Sequence, residues 1–222
     1  MMELSVPSYV VPGTWAENLR WLLENTSQRR VELLFFMYDN ETRSMLKDEL
    51  QTILDLSRHF SYTVHLPDSI AADSRELVQA FSRVSDGFVV HPPRTLSELT
   101  PFCALMDAWR DSFGPDRFFL ENTRMEPFAL ADALPYTHGP MKLCVDVGHL
   151  VLEGIDPSAF IAQHASRIRE LHVHGVHAGK DHGPLTGRES WLVAMQDFLR
   201  TYDGILELEM FAWEQVQPAL AL

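Results

Sequence analysis

Eight short runs of β-forming, mostly apolar residues, each separated from the next by enough chain for a connecting segment, constrain this chain more than any other feature. They fall at residues 4–11, 31–37, 62–66, 87–91, 117–121, 142–146, 168–174 and 204–210. Most are rich in Val, Ile, Leu and Phe with few polar breaks, the pattern of parallel strands covered on both faces. Helical spacing is visible between them at 15–24, 42–59, 97–113, 127–134, 157–167 and 189–202. In the first of these Trp15, Leu19, Leu22 and Leu23 share a face; in the second, Leu46, Leu50, Ile53, Leu54 and Leu56 do. Asn40 and Ser97 stand before helical runs as start signals, and Asp156 is followed by Pro157 at a first helical position.

A right-handed series of such units either closes into a barrel or spreads into a doubly wound sheet. The count of eight points to an α/β chain folded as a single (β/α)₈ TIM barrel over residues 1–222. The turn after the first run reads Val11-Pro12-Gly13-Thr14, without the glycine-rich phosphate-binding fingerprint that a doubly wound sheet normally carries there. A chain of 222 residues suits one domain with one large core.

Charge narrows the partners. The formal net charge is −13 and no basic stripe is present, so a phosphate backbone would be repelled and nucleic acid is excluded as a partner. No apolar run reaches the ~20 residues of a membrane helix, and the start lacks a basic-then-apolar signal, so no membrane partner is expected. Cys103 and Cys144 are the only cysteines; one falls in a helical stretch and one in an apolar strand, consistent with reduced packing residues and a cytoplasmic setting. A small-molecule partner is left, and the pattern is compatible with a homo-oligomer.

In barrels the active site gathers at the carboxyl ends of the strands, and this sequence concentrates its polar residues there. The runs end in His65-Leu66-Pro67, His91-Pro92, Glu121-Asn122-Thr123 and Asp146-Val147-Gly148-His149. The seventh reads His172-Val173-His174, with His177, Lys180, Asp181 and His182 beyond it, and the eighth Glu207-Leu208-Glu209. Seven of the ten histidines lie at these ends, which scattered histidines would not do. Imidazole with carboxylate is the donor set of Zn²⁺, Mn²⁺ or Fe²⁺. Glu121, Asp146 and Glu209 each follow an apolar strand, where an unpaired charge would cost several kcal/mol, so a cation is the simplest compensation. Glu209 lies nearer the carboxyl end than Glu207, which shares its face one layer deeper. His172 is expected to be a ligand, and His174 a ligand or a substrate contact. Glu32, opening the second run, is expected at the opposite rim in a structural ion pair.

These strand endings resemble the xylose isomerase-like barrels, a superfamily that includes the family 2 apurinic endonucleases of the endonuclease IV type and many sugar isomerases and epimerases. The resemblance implies that His65 and His91 serve as early histidine ligands, with Glu121, Asp146, His149, His172, His182 and Glu209 completing the metal set for one or two ions. The chain departs from the nuclease pattern after the seventh run, where Lys180 occupies the expected acidic position and Asp181 lies one residue off. Other segments look like the cobamide-remodelling phosphodiesterase branch: Pro7-Ser8-Tyr9-Val10-Val11-Pro12 with Asn18, Val31-Glu32-Leu33-Leu34, Tyr62-Thr63-Val64-His65-Leu66-Pro67, Cys144-Val145-Asp146-Val147-Gly148-His149-Leu150, His174-Gly175-Val176 with Asp181-His182, and Leu208-Glu209-Met210-Phe211. That resemblance implies hydrolysis of the phosphodiester that ties the nucleotide loop to a corrinoid. Glu121 and Glu209 would serve at the reacting centre, His174, His177 or Lys180 would contact phosphate or leaving group, and Phe36, Tyr38, Phe211 and Trp213 would line an apolar mouth. The alternative is a sugar or keto-sugar isomerase or epimerase, in which Glu121, Asp146, His172 and Glu209 hold one metal and the two glutamates exchange protons across a carbonyl carbon. A non-catalytic barrel that binds a corrinoid or sugar is the third reading.

Overall fold

The computed structural model describes residues 2–221. Its strands are β1 (Glu3–Pro7), β2 (Arg30–Leu34), β3 (Ser61–His65), β4 (Ser85–Val90), β5 (Phe118–Glu121), β6 (Lys142–Asp146), β7 (Ile168–Val173), the short β8 (Gly175–His177) and β9 (Lys180–Gly183), and β10 (Ile205–Leu208). Eight of them pair in parallel and close in the order β1-β10-β7-β6-β5-β4-β3-β2, while β8 and β9 form a separate antiparallel hairpin. The helices are α1 (Trp15–Asn25), α2 (Asn40–Leu56), α3 (Arg75–Phe81), α4 (Leu99–Phe113), α5 (Met125–Asp132), α6 (Val147–Leu152), α7 (Pro157–His164), α8 (Ser190–Leu199) and α9 (Trp213–Ala219). None among the described residues is long and apolar enough to cross a membrane.

All eight expected strands are present, most of them ending before the expected carboxyl boundary. The chain past the rim remains apolar because Val10, Phe35 and Leu66 turn back into the core. Short α3, α6 and α9 and the β8–β9 hairpin were not expected; elements of one or two turns leave no period to read. Asp39, not Asn40, caps α2, its carboxylate accepting from the Thr42 N–H at 2.9 Å. Ser97 lies inside a 3-10 turn, Leu96–Glu98, and α4 opens after it. Asp156 and Pro157 start α7 as their types demand.

Strand alternation decides what fills the barrel. Tyr62, Val64, Phe88, Val90, Phe118, Leu120, Leu143, Val145, Leu171, Val173, Leu206 and Leu208 face outward into the large core under the helices. The inward series holds a small apolar cluster of Val89, Phe119 and Cys144. Gly87 makes room for it, since a Cβ there would stand 2.2 Å from the Phe119 ring. The rest of the interior is polar: Ser5, Glu32, Thr63, Glu170, His172 and Glu207 are all fully buried. Glu32 is therefore not at the opposite rim: it lies buried inside the barrel, with Nε2 of His172 at 3.3 Å as its basic partner. Its place two residues after Arg30 turns it into the barrel, and Arg30 is the residue that pairs at the lower rim, with Glu3 at 2.7 Å and Asp86 at 2.8 Å.

Candidate metal centre

The carboxyl ends of β3, β4, β5, β7 and β10 bring five side chains to one point. Glu121, the last residue of β5, sets one carboxylate oxygen 2.7 Å from Nε2 of His91 and 3.2 Å from Nε2 of His65. Its other oxygen is 3.2 Å from Nδ1 of His172, and Glu209 approaches the same nitrogen at 3.3 Å. Donor atoms of His65, His91 and Glu121 lie within 4.8 Å of one another, as do those of His65, His172 and Glu209.

A second cluster adjoins the first. His149, Asp181 and His182 offer donor atoms within 4.8 Å of one another, and so do His174, His182 and Glu209. Glu209 thus belongs to both clusters. Asp146 is placed between β5 and β7 with Oδ1 3.2 Å from Nε2 of His174 and Oδ2 3.6 Å from Nε2 of His149. Asp181 is the residue that reading the sequence against the nuclease pattern set aside. The hairpin turn, with Ala178 and Gly179 at positive φ, carries Asp181 back to within 3.8 Å of Nε2 of His149.

Most of the imidazoles fix one ring nitrogen and aim the other into the mouth. Nδ1 of His65 donates to the Leu66 carbonyl (3.0 Å), Nδ1 of His149 to the Thr123 carbonyl (3.0 Å) and Nδ1 of His182 to the Glu209 carbonyl (3.1 Å). Asp68 stands 3.5 Å from Nδ1 of His91. A proton held on the anchored nitrogen leaves the facing Nε2 with a free lone pair, the state a metal requires. His174 differs. Its Nδ1 accepts the His182 backbone N–H at 2.9 Å, so its proton sits on Nε2 and faces Asp146. His174 orients a carboxylate; it does not offer that nitrogen to a cation.

Supporting residues explain the motif spacing. Asn122 pairs through its amide with the backbone of Asp146, donating to its carbonyl (2.9 Å) and accepting its N–H (2.8 Å). Asp146 caps α6 by accepting the His149 N–H at 2.8 Å, which sets the three-residue spacing of Asp146 and His149. Gly148 between them leaves space for His174: a Cβ there would stand 1.9 Å from that ring. His182 adopts a positive φ of 50°, a strained conformation that puts its ring 4.8 Å from that of Phe211.

The electrostatics favour positive charge at the centre. Burial alone disfavours the His65 cation, but Glu121 and Glu32 outweigh it and push the imidazole up to about 9. Burial likewise opposes charge on Glu121, yet His91, His172 and His65 hold its carboxyl well below the usual range. Asp146 is held down against burial by His174 and His149. Oε2 of Glu209 and both ring nitrogens of His172 are buried without a well-directed hydrogen bond among the described residues. A divalent cation fits this donor set: it supplies the charge that protons would otherwise bring and satisfies the orphaned atoms.

Other expected residues lie elsewhere. Lys180 is exposed at the start of β9, because the hairpin turns its side chain outward, and it makes no ion pair among the described residues. His177 staples the hairpin, its Nε2 donating to the Pro184 carbonyl at 2.8 Å. Phe36 and Phe211 meet edge to face at 5.9 Å beside His182. Tyr38 instead hydrogen-bonds Glu76 beneath Arg43, and Trp213 packs on Trp21 among the helices. Clefts of several sizes open on the surface, and two of them, of about 340 and 210 Å³, are lined by His91. Another, of about 380 Å³, is walled by Tyr9, Phe36, Met37 and Met45. The cleft of about 210 Å³ opens between His91 and His149 and carries Arg94 and Arg124.

No family model matches the sequence, and no curated protein matches it. Solved structures do. An L-ribulose 3-epimerase superposes with a TM-score of 0.65 at 17% identity, covering 100% of this chain and 85% of its own. A family 2 AP endonuclease from Brucella melitensis gives 0.65 at 14% identity, with 100% and 97% covered. The fold they share with this chain is the (β/α)₈ TIM barrel. A D-psicose 3-epimerase from Clostridium cellulolyticum H10, solved with D-tagatose, gives 0.63 at 15% identity over 95% and 85%. These likenesses speak to architecture, and the chemistry rests on the residues above.

Proposed function

We propose that this chain is a divalent-metal-dependent phosphodiesterase, and that its substrate is the nucleotide-loop phosphodiester of a cobamide. The observation that carries the reading is the pair of adjoining ligand clusters, His65, His172 and Glu209 with His91 and Glu121 on one side and His149, Asp181 and His182 on the other, because a phosphodiester offers oxygens to two cations where a sugar carbonyl needs one. Glu121, His65, His91, His172 and Glu209 would hold the first cation, and Asp181, His149 and His182 with Glu209 the second. Bound there, the metal supplies Lewis acidity and lowers the pKa of coordinated water toward neutrality.

The chain's own residues do the remaining work. Arg94 and Arg124 in the cleft between His91 and His149 are placed to orient an anionic oxygen; Arg94 is partly engaged by Asp68 at 3.2 Å, while Arg124 has no ion pair among the described residues. His174, with its proton on Nε2, donates it to Asp146 and keeps that carboxylate in place. The Tyr9–Phe36–Met37 cleft supplies the apolar wall that a corrinoid ring needs. Incubating the Zn(II)- or Mn(II)-loaded protein with a complete cobamide should yield a corrinoid phosphate and a nucleoside, with two metal equivalents bound. Absence of cleavage with two equivalents bound sinks the substrate assignment.

A second reading, a sugar or keto-sugar isomerase or epimerase, is favoured by one specific relationship and by the names of most similar structures. Glu121 and Glu209 both face Nδ1 of His172, leaving two glutamates opposed across a single cation position. Solvent deuterium incorporation into a ketohexose by protein holding one metal equivalent would establish it over the hydrolytic reading.

A further inference from the structure

Glu32 is an acidic side chain set inside the barrel rather than at its mouth. It lies in β2, fully buried inside the barrel, and neither carboxylate oxygen has a well-formed hydrogen bond among the described residues. Arg30, two residues earlier, is spent on Glu3 and Asp86. A carboxyl group in such a place is costly unless a partner meets it. Buried Glu170 and Glu207 are acidic neighbours of Glu32, and the imidazole that meets it is that of His172, whose Nε2 stands 3.3 Å from Oε1 of Glu32.

His172 spans two layers. Nδ1 points up to Glu121 and Glu209, and Nε2 points down to Glu32. To serve a cation through Nδ1, the ring must carry its proton on Nε2, and that proton needs an acceptor. Cys144 also borders the ring, but burial keeps its thiol protonated, and a thiol is a weak acceptor. We propose that Glu32 is the positioning residue of the metal centre: it accepts the Nε2 proton of His172, fixes the ring's tautomer and orientation, and so sets the strength of metal binding from one layer below. The inference rests on the metal reading above and is independent of which reaction the centre performs.

The test compares Glu32→Leu and Glu32→Gln with wild type by Zn(II) competition against a chromophoric chelator. Leu fills the space without accepting a proton; Gln keeps an amide oxygen that can accept one. Zn(II) affinity should fall roughly 10- to 100-fold in Glu32→Leu and recover in part in Glu32→Gln. The thermal midpoint of metal-free Glu32→Leu should stay level or rise, since a buried charge is gone; a merely structural role would move the midpoint and leave affinity alone. Nitrogen-15 spectra of Zn(II)-loaded wild type, with His172 assigned through His172→Gln, should show that ring protonated on Nε2. Should Glu32→Leu fail to fold, the spectrum and the Gln variant still decide. Wild-type affinity in the Leu variant, or a proton on Nδ1, overturns this inference alone. Wild type that binds no Zn(II) overturns the metal reading, and this inference with it.

Discussion

Nε2 of His91 stands 2.7 Å from Oε2 of Glu121, the shortest histidine–carboxylate link in the barrel mouth among the described residues. Since the other oxygen of Glu121 faces His172, one carboxylate serves three imidazoles from three strands. Glu121→Gln preserves shape and removes the shared charge. It should weaken Zn(II) binding at the first cluster by at least ~100-fold, given that an unpaired buried charge costs several kcal/mol. Metal analysis after dialysis against a weak chelator would check this, and retention of two equivalents would contradict it.

Asp181 reaches the centre from the hairpin and not from the barrel, and its side chain is partly exposed. Asp181→Asn should reduce bound metal from two equivalents to one while shifting the thermal midpoint by less than about 2 °C, because exposed ion pairs contribute little to folding. Mass-spectrometric metal counting alongside calorimetry measures both quantities on the same sample.

Gly148 packs against His174 with no room for a methyl group. Gly148→Ala should cost about 1–3 kcal/mol of stability through overpacking and tilt His174 away from Asp146. A denaturant midpoint equal to that of wild type would show that the ring yields freely.

Glu170 gives a pH signature. Burial, and then the neighbouring Glu32 carboxylate, push its pKa up to about 8 from an ordinary value of 4.5. The folded state therefore holds a proton that the unfolded chain releases, and this contribution is complete below about 4.5 and lost as pH rises through about 8. Unfolding free energy of the metal-free protein should decline across that window with a slope approaching ~1.4 kcal/mol per pH unit. Glu170→Gln, a permanent mimic of the neutral acid, should flatten the decline. Parallel slopes for the two proteins would refute the assignment.

The barrel was legible because its outward strand residues are continuous apolar runs, and the mouth because Glu121, Asp146 and Glu209 interrupt such runs where an unpaired charge is costly. Glu32 misled for the opposite reason. At the start of its run it looks like a rim residue, and only the pairing of Glu32 with Thr63 reveals that it lies inside. Lys180 and Asp181 could not be told apart by spacing, since two backbone angles in the left-handed region decide which of them turns inward. The role of Asn122 was hidden because a buried side-chain amide that pairs with backbone looks, in sequence, like any loop asparagine.

The hairpin formed by β8 and β9 packs against α6 and is tied to the strand ends by the His182 N–H on His174 and the His182 ring on the Glu209 carbonyl. Glu121, His65 and His172 sit on the strands themselves, whereas Asp181 and His182 arrive on this appendage. On the proposed two-cation reading the scaffold and the ion count are consequently separable: replacing one short flap would take the centre from two cations to one without rebuilding a single barrel strand.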